Sequence, residues 1–586
     1  MAPSEDCGWL LYLSLAAKCG GPHRLLGFAA VVAAAFVVTA LLHWASPGGP
    51  AWGWYWWTRR AGLGIVGAAI PGPRGLPVLG SMGLMTGLAH RKLAAAGKAR
   101  RRLMAFSLGE TRVVVTADPD VARELLASAA FADRPVKESA YGLLFHRAIG
   151  FAPHGAYWRA LRRVASAHLF SPRQIAGSAA QRAVIARQMV DAMTKQQGGA
   201  GAVRARRFLK RASLHNVMWS VFGRRYELLQ AADGEEAAEL KSLVDQGYDL
   251  LGQLNWSDHL PWLARFDLQR TRARCAALVP RVNRFVGRII DEHRAARLRH
   301  GGAAAVMDFT DVLLSLQGSD RLSDADMIAV LWVRTYVAPS PYGVRVRFAH
   351  YSRLPKRRDS HDLIDDFVRM HLQEMIFRGT DTVAVLIEWV LARLVLHQDV
   401  QRRVHEELDR VVGPGRAVTE SDTASLVYLQ AVVKEVLRLH PPGPLLSWAR
   451  LATSDVHVGG HLVPAGTTAM VNMWAITHDP AVWPDPAEFK PERFVGSPDH
   501  AADESFPVMG SDLRLAPFGS GRRVCPGKSL AMATVGFWVA TLLHEFEWLP
   551  PASGDPPRGV DLSEVLRLSC EMAIPLEARL VPRHAV

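Results

Sequence analysis

Cysteine is scarce in this sequence. Five are spread over 586 residues, at Cys7, Cys19, Cys275, Cys525 and Cys570. An odd, widely spaced set excludes a disulfide framework and suits a reducing compartment. There is no CxxC pair and no Cys/His cluster, which argues against a structural zinc site. Acidic residues are also in deficit: 55 Asp and Glu stand against 69 Lys and Arg, a net charge of +14. That balance suits an anionic partner, such as an acidic protein or an anionic membrane surface. The densest basic run, Lys98 to Arg102, reads as a solvated or membrane-facing surface, and no nucleic-acid partner is expected. Internal repeats are lacking, which excludes solenoids and propellers. With 49% hydrophobic and 21% charged residues, the chain has the composition of a globular protein with a large core.

One stretch lacks charge altogether. Leu25 to Trp44 (LLGFAAVVAAAFVVTALLHW) runs for 20 uncharged residues, the length that crosses a hydrocarbon core. Trp44, Trp52, Trp54, Tyr55, Trp56 and Trp57 follow and read as an interfacial aromatic belt. Arg59, Arg60 and the Lys98–Arg102 cluster make the C-terminal flank the basic one, which places that side in the cytosol. The expected organisation is a luminal N-terminus over 1–23, a transmembrane anchor over 24–46, an aromatic and basic linker with a Pro-rich hinge over 47–80, and one large domain over 81–586. The hinge is Pro71-Gly72-Pro73-Arg74-Gly75-Leu76-Pro77-Val78-Leu79-Gly80.

The body has mostly helical periodicity. Arg112–Ala117 is a β-rich run, and Val456–Asn472 reads as two strands around turns at Gly459-Gly460 and Pro464-Ala465-Gly466. The fold class is therefore mainly α with a minor β part (α+β).

The strongest chemical signal is Phe518-Gly519-Ser520-Gly521-Arg522-Arg523-Val524-Cys525-Pro526-Gly527. Its glycines let the backbone turn tightly against a flat cofactor. Cys525 stands just before an apolar run, Leu530–Leu543, that reads as a helix, and a helix N-terminus favours a thiolate. Arg523 can reach an anionic group on the cofactor. Further upstream, Glu435 and Arg438 are three apart and share a helix face. Trp158 and Arg162, four apart, do the same. Thr382 and Asp381, after Gly379, form an acid–alcohol pair suited to proton delivery.

These motifs, in this order, resemble those of the cytochrome P-450 superfamily. The cysteine loop matches FxxGxRxCxG, Glu435–Arg438 matches ExxR, Pro491–Phe494 is similar to PERF, and Phe377–Thr382 (FRGTDT) is similar to the oxygen-binding helix motif. The likeness covers roughly residues 71–586. Two longer stretches, Phe131–Arg159 and Asn255–Asp267, narrow it to the plant A-type family 78, subfamily A. The resemblance implies that Cys525 is the axial thiolate on a haem b iron, that Phe518 shields the sulfur, and that Arg523, Trp158, Arg162 and Arg450 meet the propionates. It implies a buried network of Glu435, Arg438 and Arg493 behind the loop. It implies a dioxygen groove at Gly379, with Thr382 and Asp381 as the proton relay.

One segment departs from the family. Ser323–Trp332 begins a helix with Ser323 and Asp326 near a capping box, and Glu374–His397 continues in the same style. Between them lie 41 residues, Val333–Gln373, with Pro339, Pro341, Gly343 and Pro355 to break a helix. A segment that starts on a valine codon and ends on a glutamine codon can start with GT and end with AG. Residues 333–373 are therefore read as a retained intron or gene-model error within the oxygen-binding helix, with a genuine lineage-specific loop as the alternative.

The expected function is that of a monooxygenase inserting one oxygen atom from O2 into a small apolar, fatty-acid-like substrate, with a role in plant organ growth. Electrons are expected from NADPH through a flavoprotein reductase, docked on basic residues such as Arg159, Arg163 and Lys528. The expected location is the endoplasmic reticulum membrane, single-pass, with the catalytic domain facing the cytosol. Two alternatives stand beside this: a peroxide isomerase or lyase of the same fold, and a haem-binding membrane protein whose catalysis the 333–373 segment impairs.

Overall fold

The computed structural model describes residues 22–63, 69–97, 102–143, 148–226, 235–299, 308–315, 375, 379–446, 449–495, 508–551 and 560–584. The 333–373 segment, the helix expected at Ser323–Trp332 and most of the expected luminal N-terminus lie outside the described residues.

Helix α1 (Pro22–Trp44) is the apolar run. It is long and apolar enough to cross a membrane, and Val31, Phe36, Val38 and Leu41 are exposed along it. Such a face is costly in water and at home in lipid. Helix α2 (Pro50–Leu63) follows. Here the structure departs from an interfacial belt. Trp52, Tyr55 and Trp56 are buried, packed with Ala105 and Val114 in one apolar cluster. An aromatic run serves a lipid interface or a protein core equally well, and this one has a sheet to cover.

That sheet starts with β1 (Met104–Leu108) and β2 (Thr111–Thr116), an antiparallel hairpin with Phe106 opposite Val113. The Trp52 indole donates to the Phe106 carbonyl at 3.1 Å. Ser107 Oγ donates to the Gly48 carbonyl at 2.6 Å and accepts from the Ala51 N–H at 3.1 Å. The Pro-rich stretch is laced to the same strand: Ala105 N–H donates to the Pro71 carbonyl at 2.9 Å. Residues 47–57 and 69–80 are therefore folded onto the domain.

Nine further elements position the site: α3 (Pro119–Ala127), α4 (Ala156–His168), α5 (Ala205–Phe222), α6 (Glu235–Gly252), α7 (Asp381–Leu396), α8 (Val427–Leu439), β3 (Arg450–Leu451), β4 (Thr468–Val471) and α9 (Lys528–Glu545). The sheet runs β1-β2-β4-β3, with β2 and β4 parallel and β3 antiparallel to β4. Val456–Asn472 forms three strands, because β4 follows the short hairpin Val456–Val458 with His461–Val463. Helix α7 is apolar almost all round, and eleven of its residues are buried, as expected of a helix through the middle of a large domain. It packs against α5, α8 and α9. The architecture is mainly helical with small sheets, as expected.

Candidate active site

Cys525 lies at the end of a loop that is held from both sides. Its N–H donates to the Phe518 carbonyl at 3.0 Å, which closes the turn. Gly521 has φ +67°, and a Cβ there would sit 2.1 Å from the Leu126 carbonyl of α3. Only glycine fits that approach. Gly519, at φ +71°, faces open space instead. Helix α9 starts three residues after the cysteine, so its positive end supports a thiolate.

The loop forms one wall of a cavity of about 300 Å³. Phe518, Gly519, Cys525, Pro526 and Gly527 line that wall, and Gly379, Thr382, Val383 and Leu386 line another. Ile149, Leu169, Phe170, Val217 and Leu446 make much of the remainder apolar.

Charge in this cavity is one-sided. Arg134, Arg162, Arg450 and Arg523 line it, and no Asp or Glu does so among the described residues. Burial lowers the pKa of Arg450 to about 9, and Arg523 and Arg162 push the same way. Burial also lowers the pKa of Arg162, with the Cys525 sulfur opposing. Arg523 donates to the carbonyls of Ala132 at 2.8 Å, Ile149 at 3.2 Å and Ala152 at 2.6 Å. Arg523 also stands 3.8 Å from Asp133, and a cavity lined by four cations suits an anionic guest.

Trp158 is placed differently from a direct propionate contact. It is buried, its indole donates to the Ile149 carbonyl at 2.9 Å, and it is not among the residues lining the cavity. Its ring lies under the guanidinium groups of Arg523 at 4.4 Å and Arg162 at 5.7 Å. It is a platform for both cations.

Behind the loop, Glu435 and Arg438 form a two-pronged pair, both bonds 2.8 Å, with both side chains at 0% exposure. Arg493 Nε stands 3.5 Å from the same carboxylate.

Asp381 and Thr382 part company. Thr382 lines the cavity. The Asp381 carboxylate pairs with Lys210 of α5 at 2.9 Å, and Lys210 also pairs with Glu571 at 3.0 Å. Burial lifts the Asp381 pKa, with Lys210 opposing. Burial works against the Lys210 ammonium, but Asp381 and Glu571 outweigh it and raise its pKa. Tyr248 of α6 accepts from the Asp381 N–H at 3.2 Å and bonds Thr380 Oγ1 at 3.2 Å. A Cβ at Gly379 would come within 3.0 Å of Val217. Lys210, Glu571, Tyr248 and Arg134 escaped the sequence reading, since the first three are far from Asp381 along the chain and follow no local motif.

A thiol just before a helix start, a largely apolar cavity beside it and four arginines lining that cavity together define a haem-thiolate site. The donor set fits haem b: a soft thiolate for the iron and cations for two carboxylates. The comparisons agree with that class. The sequence profile of the family described as Cytochrome P450 matches residues 70–334 and 344–571. Cytochrome P450 78A9 of Arabidopsis thaliana is 57% identical over 590 aligned residues, covering 100% of this chain and 99% of the relative. Cytochrome P450 78A6 of Arabidopsis thaliana is 57% identical, covering 94% and 93%. Cytochrome P450 78A3 of Glycine max is 54% identical, covering 99% of each. The chain belongs to the cytochrome P450 family, and these three relatives are of the 78A group. It is a haem-thiolate monooxygenase that uses haem b and electrons from NADPH through a reductase.

Proposed function

We propose that this chain hydroxylates a small apolar, fatty-acid-like substrate from the endoplasmic reticulum membrane, with the catalytic domain on the cytosolic side, and that its product acts in plant organ growth. The observation that carries this reading is the composition of the first cavity: Cys525 on one wall, Thr382 on another, and an apolar lining between them. When bound, haem supplies the iron at which O2 is activated, with one oxygen atom going to substrate and the other to water.

The chain's own residues supply the surroundings. Cys525 holds the cofactor by its sulfur, with Phe518 against it. Arg162, Arg450 and Arg523 take the propionate charge, and Trp158 fixes two of them in place. Gly379 keeps the groove open. Thr382 holds a proton at its hydroxyl, facing the cavity. Asp381 passes protons in from its pair with Lys210, and Tyr248 anchors the backbone between them. Glu435, Arg438 and Arg493 hold the floor behind the loop. Basic residues Arg159, Arg163 and Lys528 offer a docking face for an acidic reductase.

A second reading concerns the 333–373 segment, where the family match breaks over 335–343 and resumes at 344. On that reading the segment is a retained intron and the chain carrying it is a catalytically impaired haem protein. One experiment separates the two. The full chain and a chain lacking 333–373 are purified and compared for the thiolate-type carbon monoxide difference band and for product formed with NADPH, reductase and O2. Equal band and equal turnover support the monooxygenase reading of the full chain. A band or turnover restored only by deletion supports impairment. Turnover of an organic hydroperoxide without NADPH or O2 would indicate an isomerase or lyase instead.

A further inference from the structure

One buried cluster of side chains belongs neither to the haem site nor to its proton path. His90, Glu564 and Cys570 offer an imidazole nitrogen, a carboxylate oxygen and a sulfur that all lie within 4.8 Å of one another. His90 is in the first turn of the helix Ala89–Gly97. Glu564 and Cys570 sit on the two strands of one antiparallel hairpin, Glu564–Leu566 with Cys570–Met572. No local motif marks the cluster, because its members come from opposite ends of the domain and meet only through the fold. The backbone around it is well held. The Cys570 N–H donates to the Pro442 carbonyl at 2.9 Å, and the Trp389 indole donates to the Cys570 carbonyl at 3.2 Å. Asn472 Nδ2 donates to the His90 carbonyl at 2.8 Å. Leu568 and Ser569, in the turn of the hairpin, line the cavity beside Cys525.

Glu564 is supported from two sides. Arg91 donates to its Oε2 from Nε at 3.0 Å and from Nη2 at 2.7 Å. His440 Nε2 accepts from Arg393 at 3.0 Å and 2.8 Å, so its proton is on Nδ1, which donates to Glu564 Oε1 at 3.2 Å. Oε1 thus keeps a second lone pair for another partner. This network leaves His90 unexplained. The residue is fully buried, and neither ring nitrogen makes a hydrogen bond among the described residues. Its Nε2 stands 3.4 Å from Glu564 Oε2, but the two are not aligned for a hydrogen bond. A buried imidazole in that condition is costly.

A metal ion would use what the network does not. Zinc is borderline-soft and accepts sulfur, imidazole and carboxylate together, whereas magnesium and calcium take oxygen. Bonds of about 2.0–2.3 Å set the ligand atoms of a tetrahedral zinc about 3.3–3.7 Å apart. Closing from 4.8 Å to that spacing asks only for small side-chain rotations. Binding forms the bond from zinc to Cys570 Sγ and releases the thiol proton to solvent. Thiolate and carboxylate then balance the two charges of the metal. Arg91 and His440 orient the carboxylate, as the outer shell of a metal site does. The Arg91 side chain is 47% exposed, so water and salt damp its repulsion of the metal.

We propose that His90, Glu564 and Cys570 form a zinc-binding site, with water in the fourth position, that ties the helix Ala89–Gly97 to the hairpin bordering the substrate cavity. The proposal does not depend on the monooxygenase reading.

The test is zinc binding to the haem-loaded full chain in lipid nanodiscs, stripped with a chelator and titrated with Zn2+ against a fluorescent zinc indicator. X-ray absorption at the zinc edge then reads the ligands. One zinc per haem is expected, with one sulfur neighbour at about 2.3 Å and nitrogen or oxygen for the rest. Cys570→Ala and His90→Gln should each weaken binding by about a hundredfold or more. Cys275→Ala, which removes a buried cysteine elsewhere, should leave it unchanged. If neither Cys570→Ala nor His90→Gln folds, the absorption spectrum of the unaltered chain decides. No zinc held against an indicator of about micromolar affinity, zinc held equally by both variants, or a spectrum with no sulfur or with more than one would each overturn the proposal.

Discussion

Every donor of the Arg438 guanidinium is spent. Two go to Glu435, two to the carbonyls of Thr477 and Pro486 at 2.8 Å, and one to the Glu488 carbonyl at 3.0 Å. The Lys490 N–H reaches Glu435 Oε1 at 2.9 Å. With both charges at 0% exposure, each is tolerable only because of the other. Glu435→Gln keeps the shape and removes one charge, so Arg438 is left buried and uncompensated. The expected loss is about 3–5 kcal/mol, read as a lower denaturant midpoint together with loss of haem. Replacing both, Glu435→Leu with Arg438→Met, should cost less than the single change, since Arg438 is then not stranded and only Arg493 loses its carboxylate. This pair was legible in the sequence, because a spacing of three on a helix puts two side chains together whatever the rest of the fold does. The partner of Asp381 was not. Its acid–alcohol neighbour Thr382 suggested a bonded pair, but Lys210 comes from a different helix, and only the packing of α5 against α7 brings it within 2.9 Å.

The joint in which the Glu138 N–H donates to Asp258 Oδ1 and Asn255 Nδ2 donates to Glu138 Oε2, both at 2.8 Å, shows the same limit one scale up. Phe131–Arg159 and Asn255–Asp267 stood out as distinctive stretches, yet nothing local in either says that they touch. Their contact carries a pH signature. Burial lifts the Asp258 carboxyl from 3.8 to about 6, with the Glu138 N–H and Lys137 opposing. The folded pKa lies above the unfolded one, so the folded state binds this proton more tightly. Its contribution to stability is full below pH 3.8 and is lost as pH rises through about 6. Lys137 runs the other way: lowered from 10.5 to about 8, its contribution is full above 10.5 and lost as pH falls through 8. Between about 6 and 8 both groups are charged at a cost, and the joint is easiest to open. His259, which burial lowers to about 4, changes charge in the acid range as well, with the sign of Lys137. Subtracting Asp258→Asn isolates the carboxyl. Chemical denaturation at a series of pH values should show wild type gaining on the variant as pH falls from about 7 to about 4. A constant difference would mean that Asp258 is not the group that titrates.

For the whole molecule, the question is where the anchor ends and the catalytic body begins. The run of tryptophans after α1 satisfied two descriptions at once, a belt at a lipid interface and a hydrophobic patch for a core. Sequence cannot choose between them, because both ask for large amphipathic rings near a membrane helix. The choice is made by β1, which offers Phe106 as a carbonyl acceptor and Ser107 as a hydroxyl bridge to Gly48 and Ala51. Arg112 also stacks over Tyr55 at 5.0 Å. Helix α2 therefore belongs to the body, and the membrane helix leaves it through a folded joint. Trimming has a sharp consequence. Removing residues 1–39 takes away the exposed apolar face but keeps Ala40, His43 and Trp44, which are held on the body, and should leave the thermal midpoint of the haem-loaded protein unchanged within about 2 °C. Removing residues 1–64 strips three buried aromatics, each covering about 150–250 Å². At about 25 cal/mol per Å² that is roughly 4–6 kcal/mol per ring as an upper bound. It also exposes the edge strand β1, which invites aggregation. The longer truncation should show a much lower midpoint in a thermal scan and elute as aggregate in size-exclusion chromatography. If the two truncations melted together, α2 would be a passive tether, and the depth of the haem domain at the membrane would be set by lipid contacts alone.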